Sequence, residues 1–337
     1  MINLGFWAKL KKPIMVLAPM ADVTDCVFRQ IIAKYGKPDV FWTEFVSADG
    51  LAHPVAREKL LIDLKYSENE HPIVAQIFGG KPENIKIASN LCKELGFDGV
   101  DINMGCPDKS VEKQCAGSGM IKNPELSFEV IRAAKESGLP VSVKTRIGYN
   151  KNEIETWIRG LLEQDIAVLT VHLRTRKEMS DVPAHWDLMK RIVEIRDAIA
   201  PDTLIFGNGD VVDLEDGMQK VKETGCDGVM LGRAIFGNPF LFSKQKRPEQ
   251  SEGREPLGNT RGEMVVPSIS EKLEVMVEHT KLFEKELVQH KNFAIMKKHY
   301  KAYVNGFDGA KELRMKLMEA ENATEVEKIT KIFLEHS

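Results

Sequence analysis

The chain has 337 residues, a formal net charge of −3, 43% hydrophobic residues and 29% charged residues. That length holds one large core and a smaller second module, and the near-neutral charge leaves any nucleic-acid contact to a local basic face. No stretch reaches the roughly 18 apolar residues of a membrane span, no signal-peptide layout opens the chain, and five scattered cysteines form no CxxC or disulfide framework, so a soluble, cytoplasmic protein is expected.

Short β-branched runs alternate with helical patterns. Strands are predicted over 14–20, 40–46, 72–78, 99–105, 141–147, 168–174, 204–210 and 228–234. Helices are predicted over 83–95, 124–137, 153–164, 184–199 and 214–223. In the first of these, Ile87, Ala88, Leu91 and Leu95 have the spacing of a buried stripe. Parallel strands need crossovers, and eight strand–helix units in about 230 residues match a closed barrel. An open doubly wound sheet is the rival. After Phe242 the segment 244–268 is polar, rich in Gly and Pro and aperiodic, and reads as a linker or exposed loop. From 269 the pattern is wholly helical, with Leu273, Met276, Val277, Thr280, Phe283 and Leu287 on one stripe and further helices over 292–304, 310–320 and 324–334. The expected architecture is a TIM-type (β/α)8 barrel over 1–243 followed by a small all-helical domain over 269–337.

In such a barrel the working groups lie at the C-terminal strand ends. That rule selects Pro19 and Met20, Glu44, Gln76, Asn103 and Cys106, Lys144 and Arg146, His172 and Arg174, Asn208 to Asp210, and Gly232 with Arg233. Gly207-Asn-Gly-Asp210 and Gly232-Arg233 follow strands seven and eight, where barrels bind phosphate through glycine-freed N–H groups. The same glycines also serve plain tight turns. Lys144 alternates with Val141 and Val143, which suit the outer face; it is either an outward-facing lysine or, as that alternation favours, one pointing inward to a flavin edge, a phosphate or a Schiff base. His172 is either a site residue or a satisfied core histidine. Cys106 sits between a glycine and a proline just past strand four, as a nucleophile, a general acid or a small buried hydrophobe. The long loop after it reads as a mobile segment over the mouth. Cys92, Cys226 and Cys26 fall in helical patterns and are expected to be buried. No metal-ligand spacing stands out, and no GxGxxG follows the first strand. Between Leu287 and Phe307, Lys291, Lys297, Lys298 and Lys301 interleave with Phe293, Tyr300 and Tyr303 without any acidic residue. That pattern is either an RNA-facing surface or a solvated helix face over core aromatics.

These residues carry a resemblance. Ala18-Pro-Met-Ala-Asp-Val-Thr-Asp25, Asp101-Ile-Asn-Met-Gly-Cys-Pro107, Val143-Lys-Thr-Arg-Ile-Gly148, His172-Leu-Arg-Thr-Arg176, Gly207-Asn-Gly-Asp210 and Gly228-Val-Met-Leu-Gly-Arg-Ala234 resemble, in order and spacing, the motif series of the tRNA-dihydrouridine synthases. Met296-Lys-Lys-His-Tyr-Lys-Ala-Tyr303 resembles that family's helical tRNA-binding domain. The resemblance implies an FMN enzyme, reduced by NADPH, that converts uridine in tRNA to 5,6-dihydrouridine, with Cys106 as proton donor. It implies FMN contacts from Ala18, Pro19, Met20, Gln76, Lys144, His172, Asn208, Gly209, Asp210, Gly232 and Arg233. It places Asn103 and Arg174 toward the uracil, and Lys291, Lys297, Lys298 and Lys301 toward the tRNA. A monomer is the family default. Two features depart from the pattern: Cys115 puts a second thiol in the loop after Cys106, and the stretch 177–186 differs from the familiar version. An FMN barrel acting on a free small molecule, and a non-catalytic RNA-binding barrel, are the competing readings.

Overall fold

The computed structural model describes residues 2–243 and 267–336. Nearly all of the expected linker 244–268 lies outside the described residues. By packing, the chain divides into two compact units. One comprises Met1–Gln30 and Pro38–Ala234, the other Ile31–Lys37 and Ile235–Ser337. The segment 235–243, expected with the barrel, groups with the helical unit.

The first unit is built on eight parallel strands: β1 (Ile14–Leu17), β2 (Phe41–Ser47), β3 (Ile73–Phe78), β4 (Gly99–Met104), β5 (Val141–Arg146), β6 (Val168–His172), β7 (Leu204–Asn208) and β8 (Gly228–Leu231). Their order, β1-β8-β7-β6-β5-β4-β3-β2, runs once around, and a parallel bridge from Val16 to Val40 joins the two ends. A doubly wound sheet reverses its strand order at a switch point; this one does not, and the barrel is the fold. Most strands stop short of their predicted C-terminal limits because the last residues, such as 18–20 and 209–210, already belong to the loops.

The strands are buried on both faces, as parallel strands under helices must be. The barrel core includes Ile14, Val16, Val40, Trp42, Val168, Phe206 and Met230. Trp7 joins it from the short 3-10 turn Gly5–Lys9, with its ring centroid 5.7 Å from both Trp42 and Phe206. The N-terminal segment is thus a hydrophobic plug, with Leu4, Phe6 and Leu10 packed beside Trp7. The helix Pro82–Glu94 corrects the predicted stripe. It buries Ile85, Ala88, Ser89 and Cys92, while Ile87 and Leu95 are 41% and 37% exposed. The inner face mixes Ile85 with the small Ala88, Ser89 and Cys92, so a stripe drawn through Ile87, Leu91 and Leu95 is rotated away from it. A second internal device is a fully buried ion pair. Arg29 Nε donates to Glu70 Oε2 at 2.6 Å, and its other nitrogens donate to the carbonyls of Thr24 and Lys65.

The helical unit contains Ile269–Leu287, Met296–Tyr303, Ala310–Glu319 and Ala323–Glu335. Ser268 and Glu271 cap the first in a reciprocal box, and Leu273, Met276, Thr280, Phe283 and Leu287 are buried as expected. Tyr300 and Tyr303 are buried too, which matches the reading of a solvated helix face over core aromatics. Met296, His299, Tyr300 and Tyr303, at i, i+3, i+4 and i+7, form the inner face of their helix. Lys298 and Lys301 are exposed, while Lys291, Lys297 and Phe293 are half-buried.

Candidate active site

Register aligns the polar side chains on neighbouring strands. Gln76 pairs with Asp101 and Asp101 with Ser142, forming one level. Asn103 pairs with Lys144 two residues further along, and His172 with both Arg146 and Asn208. Alternation in a strand sends Asp101 and Asn103, or Ser142 and Lys144, to the same face.

A cavity of about 270 Å³ opens at the C-terminal strand ends. The loop after β1 gives it Ala18, Pro19 and Met20. Strands β5, β6 and β7 give Lys144, His172 and Asn208. Gly209, Asp210, Gly232 and Arg233 complete the rim. Ten of the eleven residues that sequence reasoning set around the cofactor therefore lie together, Gln76 being the exception. Arg174, which the resemblance set toward the uracil, lines this same cavity. Gln76, Asn103 and Cys106 do not.

The electrostatics follow from burial. Lys144 Nζ donates to Asn208 Oδ1 at 3.2 Å, and Asn208 Nδ2 donates to the carbonyl of Met230 at 2.8 Å. Burial, then the neighbouring Arg146, lowers the Lys144 ammonium to about 8, against the opposing pull of Asp101 and Cys106. Burial and four surrounding cations hold His172 well below its ordinary value. His172 is therefore a neutral imidazole, and its Nε2 accepts from Arg174 Nη1 at 3.1 Å. Burial pushes the Asp210 carboxyl up, but bonds from Arg174 and the Ala184 N–H outweigh it and hold it below the usual range. The other Asp210 oxygen accepts from Arg233 Nη2 at 2.6 Å. Asp210 sits at φ +54 after Gly209 at φ +127, left-handed backbone that glycine tolerates and that Asp adopts more readily than most other residues. Trp186 closes the back of this loop. Its Nε1 donates to the carbonyl of Gly209 at 2.7 Å, and a Cβ at position 207 would come within 2.4 Å of its ring.

This donor set fits a flavin mononucleotide. Lys144, Arg174 and Arg233 line it with a single carboxylate, Asp210, leaving the cavity positive. A Cβ at Gly232 would meet nothing closer than the Ala18 Cβ at 3.7 Å, so the missing side chain leaves room beside the rim for a phosphate.

Cys106 occupies a separate, well-tied turn. It is half-buried beside Phe45, Phe78, Val111 and Ala116. Its N–H and that of Gly105 both donate to Asn103 Oδ1, at 2.9 and 3.1 Å. Its carbonyl accepts from the N–H and Oγ of Ser118, both at 2.9 Å. Arg146 Nε donates to the carbonyl of Gly105 at 2.8 Å, and its Nη1 reaches the carbonyls of Thr175 and Met179. Glu112 receives Arg176, Ser118 and Tyr149. The segment read as a mobile loop is thus regular and anchored, with the short helix Lys109–Glu112 in its middle. Burial pushes the Cys106 thiol up, against a bond from the Asp108 backbone, so it stays protonated near neutrality. Cys115 is exposed and Cys26, Cys92 and Cys226 are buried.

Sequence reasoning missed the anchoring roles of Arg146, Glu112 and Trp186, and missed Ser180, which lines the cavity. Arg146 was visible at a strand end. The other three lie in or beside short turns of helix between strands, and their partners are set only by folding.

A protein-family model described as Dihydrouridine synthase (Dus) matches residues 16–336. The chain belongs to the dihydrouridine synthase family. Among its curated relatives, the "Probable tRNA-dihydrouridine synthase" of Staphylococcus aureus (strain Mu50 / ATCC 700699) is 43% identical over 323 residues, covering 95% of this chain and 93% of the relative. The "Probable tRNA-dihydrouridine synthase 2" of Bacillus subtilis (strain 168) is also 43% identical over 323 residues, covering 96% and 94%. Among solved structures, a 2-naphthoyl-CoA reductase complex superposes with a TM-score of 0.51 at 10% identity, covering 72% of this chain and 50% of that one, a likeness of fold. No described helix is long and apolar enough to cross a membrane.

Proposed function

We propose that this chain reduces the C5=C6 bond of uridine in tRNA, with FMN held in the positive cavity, NADPH as reductant and Cys106 as proton donor. The observation that carries the mechanism is the pairing of that cavity with a thiol kept protonated by burial. Bound FMN supplies the hydride chemistry at C6 of the uracil. Lys144 and His172 orient the ring side, and the rim of Gly209, Asp210, Gly232 and Arg233 takes the phosphate. Cys106 Sγ delivers a proton to C5, which quenches the enolate-like charge left by reduction. The target base has to leave the tRNA stack to reach a barrel mouth, and contacts elsewhere on the tRNA offset that cost.

The test is an anaerobic spectrum of the purified protein, with NADPH and then unmodified tRNA added. Flavin bands are expected to bleach with NADPH and return with tRNA. Cys106→Ala should bind flavin and tRNA but slow that return by about 10²–10⁴, the usual share of a general acid. Bands that return only with air or a small enone would replace the tRNA reading with a small-molecule reductase. An unchanged rate in Cys106→Ala would remove the thiol from the mechanism.

A further inference from the structure

One buried carboxylate has no part in the mechanism so far. Asp101 is fully buried inside the barrel on β4 and does not line the cavity. Its Oδ1 accepts from Ser142 Oγ at 2.6 Å and its Oδ2 from Gln76 Nε2 at 2.7 Å. Gln76 Oε1 accepts from Asn103 Nδ2 at 3.0 Å. Asn103 Oδ1 accepts the N–H groups of Gly105 and Cys106.

The polarity of this chain is forced from its far end. Two backbone N–H groups can only donate, so the atom of Asn103 that meets them is its oxygen. The amide nitrogen of Asn103 then points back at Gln76, which must offer its oxygen. The nitrogen of Gln76 is left facing β4, where it needs an acceptor. Asp101 supplies one that is itself pinned by Ser142. Without it, a buried amide N–H would go unsatisfied or the whole relay would rotate.

We propose that Asp101 is a positioning residue that acts through Gln76 and Asn103 to hold the Cys106 turn in place for protonation. The proposal rests on the role given to Cys106 above, yet it concerns the geometry of the turn and can fail separately. Burial pushes the Asp101 carboxyl up to about 6, against the bonds from Ser142 and Gln76. The carboxylate therefore stays ionised at neutral pH against the cost of burial, with both oxygens as acceptors.

The experiment alkylates the full-length, flavin-loaded protein with iodoacetamide and quantifies each cysteine by mass spectrometry. In Asp101→Leu the acceptor is gone at similar volume, and Cys106 should react about tenfold faster, the share of roughly one hydrogen bond. Cys26, Cys92 and Cys226 should stay protected, which separates a loosened turn from general unfolding. Asp101→Asn keeps an oxygen for Gln76 and an N–H for Ser142 Oγ, so it should return the rate to near wild type. Should Asp101→Leu fail to fold, Gln76→Met breaks the same relay one residue nearer the thiol and must show the same acceleration. An unchanged Cys106 rate in the folded variant, or Asp101→Asn as fast as Asp101→Leu, overturns the proposal. A positioned turn together with tRNA-independent turnover would instead leave this inference standing and sink the proposed substrate.

Discussion

Lys144 shows how burial tunes a single residue. Its ammonium is lowered to about 8 by the barrel interior and by Arg146. Below that value it is charged and attracts an anion; as pH rises through it, the attraction is lost. A bound anion raises the value again, so affinity depends on pH between the free and bound values. FMN binding to the apoprotein, followed by fluorescence quenching, should be flat below about 8 and weaken by up to about tenfold per pH unit above it. Lys144→Met should bind more weakly and lose this slope; a slope that persists in the variant would show that another group titrates. Lys144 was legible because it interrupts a valine alternation. Asn103 and Arg174 were legible as strand-end residues, but their partners were not. Asn103 spends its oxygen on two N–H groups, and Arg174 spends its guanidinium on His172, Asp210 and the carbonyl of Val182. Which contacts a polar side chain makes depends on residues far away in sequence, and no local pattern contains them.

At the scale of elements, all eight strands could be read because a parallel strand buried on both faces is a continuous apolar run bounded by turns. The helix faces were harder. The helix Pro82–Glu94 turns Ser89 and Cys92 inward, and the helix Met296–Tyr303 turns its tyrosines inward. The predicted stripe of the first set Ile87 and Leu95 inward instead, and for the second the pattern left two readings open. The Arg29–Glu70 pair was invisible for a different reason, because it joins a helix to a short turn 41 residues later. Here a stability prediction follows. Glu70→Ala leaves a buried guanidinium uncompensated and should destabilise the barrel unit by about 3–5 kcal/mol in urea unfolding. The double change Arg29→Met with Glu70→Leu should recover most of that loss. A single change that costs under about 1 kcal/mol would mean that water or the carbonyls of Thr24 and Lys65 satisfy Arg29 without its partner.

Across the whole molecule, a net charge of −3 hides local order. In the helical unit, Lys298 and Lys301 stay exposed on the helix whose tyrosines are buried, so any RNA contact there is electrostatic rather than a stacking platform. Lys298→Glu with Lys301→Glu should weaken tRNA binding, and the slope of log affinity against log salt should fall by about one per lysine. Flavin absorbance should not change. Equal affinity and slope in the double variant would assign the tRNA contact to another surface. The two-part plan was legible from the switch in periodicity after Phe242, whereas the grouping of 31–37 with the second unit was not, since packing rather than chain order decides it.

The plug at the other end of the barrel has a consequence for traffic. Trp7, packed on Trp42 and Phe206, closes the floor, so the barrel has one door. On the function proposed above, the reductant and the tRNA would both reach the cavity from that side. A vessel filled and emptied from one side makes traffic at its rim, rather than passage through it, the step that substitutions around the mouth would disturb.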